Sequence, residues 1–187
     1  TLELSIDARR RFSSEKPLLR FRLIELVENP SHPSSPLLSK SIKLDDRIVQ
    51  YLLGVEGLDD RLHSFTELTE TDRGLDQLPL NDDIKEGLMH FVSEMQDAQK
   101  VIIHLQGTHD MDKQSIALAV CHHRHQPLLV IDLERLLTEP EPSFGKTLIL
   151  IYREARLQRA ALFWKGGEAL HAESRGGMLM IFTRNLE

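Results

Sequence analysis

The stretch over residues 101–120, VIIHLQGTHDMDKQSIALAV, constrains the fold of this chain most strongly. A short apolar run over 101–105 predicts a strand, and the polar residues that follow it predict a loop. The apolar positions that begin at Ile116 predict a helix. A strand, a glycine-containing loop and a helix in this order form the frame in which a phosphate group is held.

The loop keeps two of the four fixed positions of a phosphate-binding P-loop, whose pattern is glycine, four residues, glycine, lysine and then serine or threonine. Gly107 and Lys113 stand at two of these positions, whereas Asp112 replaces the second glycine and Gln114 replaces the hydroxyl residue. The lost glycine lets backbone N–H groups face phosphate, and the lost hydroxyl coordinates magnesium. Asp112, with Asp110 nearby, also places carboxylates where a polyanion would lie. The spacing of Gly107 and Lys113 therefore indicates an ATPase, whereas Asp112 and Gln114 indicate that its ATP binding is impaired.

The composition indicates a soluble protein. The chain has 187 residues, of which 41% are hydrophobic, and no apolar run approaches the roughly 20 residues of a membrane span. The first residues lack the apolar region of a signal peptide, and the single cysteine, Cys121, has no internal disulfide partner, so we expect a cytoplasmic location. Because the chain does not begin with methionine, we expect a fragment of a longer protein.

The charge is unevenly spread along the chain. The net charge is −6, but residues 1–43 hold eight Lys or Arg against five Asp or Glu. The acidic remainder of the chain argues against binding to nucleic acid. Arg9, Arg10 and Arg11 could touch a phosphate backbone, but we interpret them as a solvated face or a contact for an acidic partner surface.

A run of soft ligands lies at the end of the predicted helix after the loop. Cys121, His122, His123 and His125 carry side chains of the kind that bind zinc. Adjacent residues at a helix end point in different directions, and no second pair such as C-x-x-C is present. We therefore predict no metal site.

Hydrophobic patterning beyond the loop predicts strands that alternate with helices. Residues 127–131, 160–164 and 178–182 predict strands, and the segments between them predict helices, including a short one over 168–175. The first of these helices buries Leu148, Ile151, Tyr152 and Ala155. This alternation predicts an α/β fold over residues 81–187, with a P-loop NTPase-like parallel sheet and flanking helices.

The front of the chain predicts a smaller α+β unit. Apolar segments at 18–27 and 37–44 flank the loop NPSHPSSP, which indicates a hairpin, and Asp45 or Asp46 caps a helix that Gly54 ends. A hairpin with a long tip beside helices is typical of a winged-helix module, here a partial one over residues 1–54. Residues 55–80 predict a partly ordered linker.

A further helix is expected after the linker. Asn81 caps it, and its apolar face is formed by Ile84, Leu88, Phe91, Val92 and Met95.

Four phrases carry a resemblance to a known family: HLQGTHDMDKQ, PLLVIDLERLL, LIYREARLQRAALFW and MLMIFTRN. Their order resembles the first, degenerate module of bacterial tandem AAA-type ATPases that carry a winged-helix domain before it. The segment from PLLRFRLIELV to LLSKSIKLDDRIVQYLLG resembles the end of that winged-helix domain. The resemblance covers nearly the whole chain and is most specific in REARLQRAAL. It implies a truncated AAA core without its helical lid, and an ordinary P-loop in a later module.

The resemblance also implies roles for individual residues. The phosphate loop, which would hold ATP and Mg²⁺, would be formed by Gly107, Thr108, His109, Asp110, Met111, Asp112, Lys113 and Gln114. The strand ending at Trp164 corresponds to the Walker B strand, where Gly167 replaces the first acid and Glu168 remains as the candidate catalytic residue. Asn185 falls where a polar residue senses the γ-phosphate.

Three functions remain open from the sequence. The first is a structural or regulatory module with weak or no ATP binding, which holds protein partners near a downstream AAA module in a homo-oligomeric ring. The second is a working ATPase in which Lys113 contacts the phosphates and Glu168 polarises water. The third is a winged-helix DNA-binding regulator.

Overall fold

The computed structural model describes residues 10–28, 36–94, 102, 103, 105, 110–138 and 144–167. The helices are α1 (Pro17–Arg20), α2 (Asp46–Leu52), α3 (Asp82–Glu94), α4 (Asp110–His123), α5 (Leu133–Thr138) and α6 (Phe144–Leu157). The strands are β1 (Ile24–Val27), β2 (Ser41–Leu44), β3 (Thr66–Thr69), β4 (Leu128–Asp132) and β5 (Ala161–Lys165).

The predicted hairpin and the helix after it are confirmed. Strands β1 and β2 pair antiparallel, with Ile24 opposite Leu44. The carboxylate of Asp45 accepts a hydrogen bond of 3.1 Å from the backbone N–H of Arg47 and so caps α2. The chain leaves the helix through Gly54, whose φ of 72° lies in the left-handed region that glycine adopts without strain.

A second sheet of three strands has the order β3, β4, β5. Strand β4 is buried on both faces, as predicted, and runs parallel to β5 after a connection through α5 and α6. Strand β3 runs antiparallel to β4. The sheet is therefore mixed, whereas the sequence predicted a parallel one. An antiparallel edge strand beside parallel strands is a common arrangement.

Residues 55–80, which the sequence predicted as a partly ordered linker, contain regular elements and buried side chains. They contain β3 and two 3-10 turns, Asp60–Leu62 and Leu75–Gln77, and the side chains of Leu62 and Phe65 are 0% and 4% exposed. The apolar positions look irregular in sequence because the segment passes from a turn into a short strand. Neither the helical nor the strand period therefore extends over the whole segment.

The strand predicted at 101–105 is not seen in the part of that segment that the structure describes, and residues 106–109 of the predicted loop lie outside the described residues. Ile102, Ile103 and Leu105 belong to no helix or strand, and Ile102 is 67% exposed. Helix α4 begins at Asp110, six positions before Ile116. The described residues therefore form a mixed α/β arrangement with small sheets, and they do not show a P-loop NTPase core.

The hydrophobic core lies between the three-stranded sheet and α6. Leu129 and Ile131 of β4 and Leu148 and Ile151 of α6 are all 0% exposed. Leu62 packs in the same cluster, so the supposed linker closes one side of this core.

Helix α3 begins as predicted. The side-chain oxygen of Asn81 accepts a hydrogen bond from the N–H of Asp83. Val92 is fully buried, whereas Ile84 and Phe91 are 53% and 41% exposed, so only part of the predicted apolar face is covered. Met95 lies outside the described residues, and so do residues 168–175 and 178–182.

No helix in the described ranges has both the length and the apolar character needed to span a bilayer.

Replacing Phe65 by alanine tests whether residues 55–80 belong to the core or act as a linker. Because the ring is buried beside Leu62, Phe65→Ala should lower the free energy of unfolding by about 3–5 kcal/mol in urea denaturation. The control Leu53→Ala removes a side chain that is 75% exposed and should change stability by less than about 0.5 kcal/mol. Equal small effects of both substitutions would show that residues 55–80 do act as a linker.

Candidate functional site

Two charged residues lie on the buried side of α6. Arg153 is 3% exposed and Glu154 is 0% exposed, although the sequence predicted only apolar residues on this face. The predicted Leu148, Ile151 and Ala155 are buried as expected. Buried arginine and glutamate are rare unless they are paired, because an unpaired charge in a protein interior is costly.

Glu154 is paired with Arg47 of α2. The Nε of Arg47 lies 3.0 Å from Glu154 Oε2, and its Nη2 lies 2.8 Å from Oε1, so the guanidinium binds the carboxylate through two nitrogens. The same Nη2 donates to the carbonyl oxygen of Gly57 at 2.7 Å. Gln158 donates to both Gly57 O and Glu154 Oε1. The carboxylate of Glu154 is therefore fully used in hydrogen bonding.

Arg153 is held by two other carboxylates. Its Nη2 lies 2.7 Å from Asp59 Oδ2 and 3.1 Å from Asp45 Oδ1, and its Nη1 donates to the carbonyl oxygen of Arg22 at 2.7 Å. Arg61 lies on the outer side of the same carboxylates, 2.9 Å from Asp45 and 2.7 Å from Asp59. Asp45 therefore both caps α2 and accepts from two arginines.

We call this set of residues the docking network: Asp45, Arg47, Asp59, Arg61, Arg153 and Glu154. It contains three guanidinium groups and three carboxylates, so its charges cancel. Because partners such as Arg47 and Glu154 are 107 residues apart in the chain, the network joins the hairpin and α2 to the α/β part. A buried ion cluster contributes little net stability, but it disfavours any arrangement that separates its members.

The electrostatics of the network follow from these contacts. The hydrogen bond to Glu154 raises the pKa of Arg47, against the opposing effect of burial. Burial alone would raise the pKa of Asp59, but the hydrogen bonds and charge of Arg61, together with the charge of Arg153, lower it overall. The side-chain hydrogen bond to Asp59 also raises the pKa of Arg61. These contacts thus favour the charged forms of Arg47, Asp59 and Arg61.

The predicted phosphate loop is described only in part. Gly107, Thr108 and His109 lie outside the described residues, and so do Glu168 and Asn185. The other five residues that were predicted to form the loop belong instead to α4, namely Asp110, Met111, Asp112, Lys113 and Gln114. In the P-loop pattern the helix begins at the lysine, whereas here three helical residues precede Lys113.

The structure brings no metal site together from the predicted soft ligands. Cys121 is buried, and burial raises the pKa of its thiol. The Nδ1 of His122 lies 2.8 Å from the carbonyl oxygen of Thr71. Within the described ranges there is no group of three or more His, Cys, Asp or Glu side chains that could hold a metal ion.

The docking network was missed at the sequence level, although one local signal for it exists. Thr147, Ile151 and Glu154 follow the helical spacing of positions i, i+4 and i+7, so Glu154 falls on the same stripe as buried residues. The phrase REARLQRAAL contains Arg153, Glu154 and Gln158, all members or neighbours of the network.

Comparison with known proteins bears on the front of the chain. Residues 1–66 match a family model described as a winged helix domain, variant. The match spans the hairpin, α2, and four of the six members of the docking network, whereas Arg153 and Glu154 lie beyond it. Neither the curated proteins nor the solved structures gave a match.

The winged-helix match therefore supports the predicted winged-helix module. It extends past residue 54, the predicted end of that module, and includes the turn and the buried Phe65 that precede most of β3. The network is thus the place where the winged-helix segment meets the rest of the chain.

Breaking the Arg47–Glu154 pair should cost more than removing it. Arg47→Met or Glu154→Leu alone leaves an unpaired buried charge, so each should lower the free energy of unfolding by about 3–5 kcal/mol. The double variant should lose less than the sum of the two, with a coupling of about 1–3 kcal/mol in a double-mutant cycle by urea denaturation. Lys43→Met, at an exposed pair, is the control and should cost at most about 1 kcal/mol. Strict additivity would contradict the pairing.

The lowered pKa of Asp59 makes stability depend on acid pH. A carboxylate with a pKa below its ordinary value of 3.8 stabilises the fold above that pH, and this contribution is lost as the pH falls towards the folded value. Asp59→Asn should therefore be less stable at neutral pH and show a flatter stability curve below pH 3.8. Urea denaturation across this range measures the effect. The neighbouring Asp60→Asn, at a surface position, is the control, and a curve for Asp59→Asn parallel to wild type would contradict the prediction.

Proposed function

We propose that the chain is a structural and regulatory module of an AAA-type ATPase, which holds protein partners near an active module and has weak or no ATP binding. One observation carries this proposal: the docking network fixes the winged-helix segment against α6 through paired buried charges. Such a junction holds two parts of a chain in one relative position, as a scaffold requires.

The described part of the phosphate-loop frame supports a non-catalytic role. Asp110 and Asp112 lie in the first turn of α4, where negative charge is favourable for the helix but repels a phosphate group. Lys113 follows them within the helix. These features stabilise a helix and weaken a nucleotide cradle.

The regulatory part of the proposal follows from rigidity. A partner that binds the winged-helix segment also acts on α6, because Arg47 and Glu154 transmit any displacement between the two. In a ring assembled from such chains, the position of a bound partner would be fixed relative to the downstream module. Hydrolysis would then be the task of that later module.

A titration with a fluorescent ATP analogue and Mg²⁺ tests the proposal. We expect no saturable, Mg²⁺-dependent binding by the wild-type chain, and identical curves for Lys113→Ala and for the control Lys146→Ala, which removes an exposed lysine on α6. Tight Mg²⁺-dependent binding that only Lys113→Ala abolishes would overturn it. Phosphate release that disappears in Glu168→Gln would establish the working ATPase instead.

A DNA-binding regulator is the second candidate, and the winged-helix match over residues 1–66 is the observation that favours it. It requires an affinity for duplex DNA that falls steeply as salt rises, because phosphate contacts release counterions. The net charge of −6 disfavours it.

A further inference from the structure

The ring of Phe21 is shared by two arginines from different parts of the chain. The guanidinium carbon of Arg20, at the end of α1, lies 5.7 Å from the ring centroid, and that of Arg156, in the last turn of α6, lies 5.4 Å from it. Both distances are within the range of cation–π attraction. The three side chains form a surface contact between the winged-helix segment and α6, next to the buried docking network.

The sequence around this contact is poor in acidic residues. Arg159, two residues beyond the end of α6, is also exposed. Glu15 is the only acidic residue between positions 10 and 23, and residues 155–167 contain none. We call the group Arg20, Phe21 and Arg156 the basic surface.

In the part of the chain that the structure describes, no ion pair with a carboxylate involves Arg20 or Arg156, whereas the neighbouring Arg22 is paired with Glu25 at 3.2 Å. The basic surface is therefore positioned to receive negative charge from another molecule.

We infer that the basic surface binds an acidic, Asp- and Glu-rich segment of a protein partner. A guanidinium that stacks on a ring keeps its N–H edge free, and that edge matches a carboxylate through two parallel hydrogen bonds. The ring limits the motion of both arginines, so less side-chain entropy is lost when the ligand binds. This inference rests on the proposed partner-binding role and names the chemistry of the partner.

An acidic peptide fits the surface better than a nucleic acid. Duplex DNA carries a negative charge about every 1.7 Å along its axis, so a long contact needs an extended basic track. Here the positive charge is compact and belongs to a chain whose net charge is −6, which would repel the rest of the duplex. A short acidic segment can contact the arginines without approaching the remainder of the protein.

Fluorescence anisotropy with a labelled polyglutamate peptide tests this inference. At low ionic strength we expect measurable binding by the full chain, and a loss of about tenfold in Arg156→Glu and in Arg20→Glu, equivalent to about 1.4 kcal/mol each. Lys146→Glu makes a charge reversal on the same helix, ten positions from Arg156, and should leave the affinity near wild type. Far-UV circular dichroism checks that all variants remain folded.

Three results would overturn the inference. They are the absence of peptide binding by the wild-type chain, equal binding by Arg156→Glu and Lys146→Glu, and a labelled DNA duplex that binds more tightly than the peptide and depends on Arg156. The outcome of the ATP titration does not depend on the outcome of the peptide experiment. If neither the peptide nor ATP binds, the acidic partner is excluded and the proposed scaffold role remains. If ATP binds, the proposed scaffold role itself is excluded.

Discussion

The arrangement of this protein depends on the buried contact between Arg47 and Glu154. Glu154 has no exposed surface, so its charge must be satisfied entirely by Arg47 and Gln158. The penalty for burying one of these charges alone is several kcal/mol, which makes the pairing nearly all-or-none. The same argument applies to Asp45, Asp59 and Arg153, because each of them bonds to groups from distant parts of the chain. The winged-helix segment consequently has one favoured position on α6.

The elements that the sequence predicts correctly are those with a local cause. The cap at Asp45, the stop at Gly54, and the continuous apolar run of β4 each depend on neighbouring residues, and periodicity locates the apolar face of α6. The pairing of Arg47 with Glu154 has no such cause, because sequence spacing carries no information about a partner 107 residues away. Strand β3 was missed because it directly follows a turn, so no single period extends over residues 55–80.

The phosphate-loop prediction relied on the spacing of the loop residues, although the residue types in that segment favour a helix. A glycine at position 112 would cost a helix about 1 kcal/mol relative to alanine, whereas aspartate in the first turn interacts favourably with the helix dipole. Asp112, at the position of the second P-loop glycine, accordingly lies within α4, which begins at Asp110. The spacing of a P-loop thus did not determine the conformation of residues 110–114.

Arginine has two different roles within one turn of α6. Arg153 points inward and binds Asp59 and the carbonyl of Arg22, and Arg156 lies outside against Phe21, the residue before Arg22. A partner on the basic surface would therefore contact the same two elements that the docking network holds together. Because a ligand shifts a conformational equilibrium only by its differential affinity, an acidic partner that needs both Arg20 and Arg156 binds the docked arrangement preferentially. Partner binding and docking of the winged-helix segment should then stabilise each other.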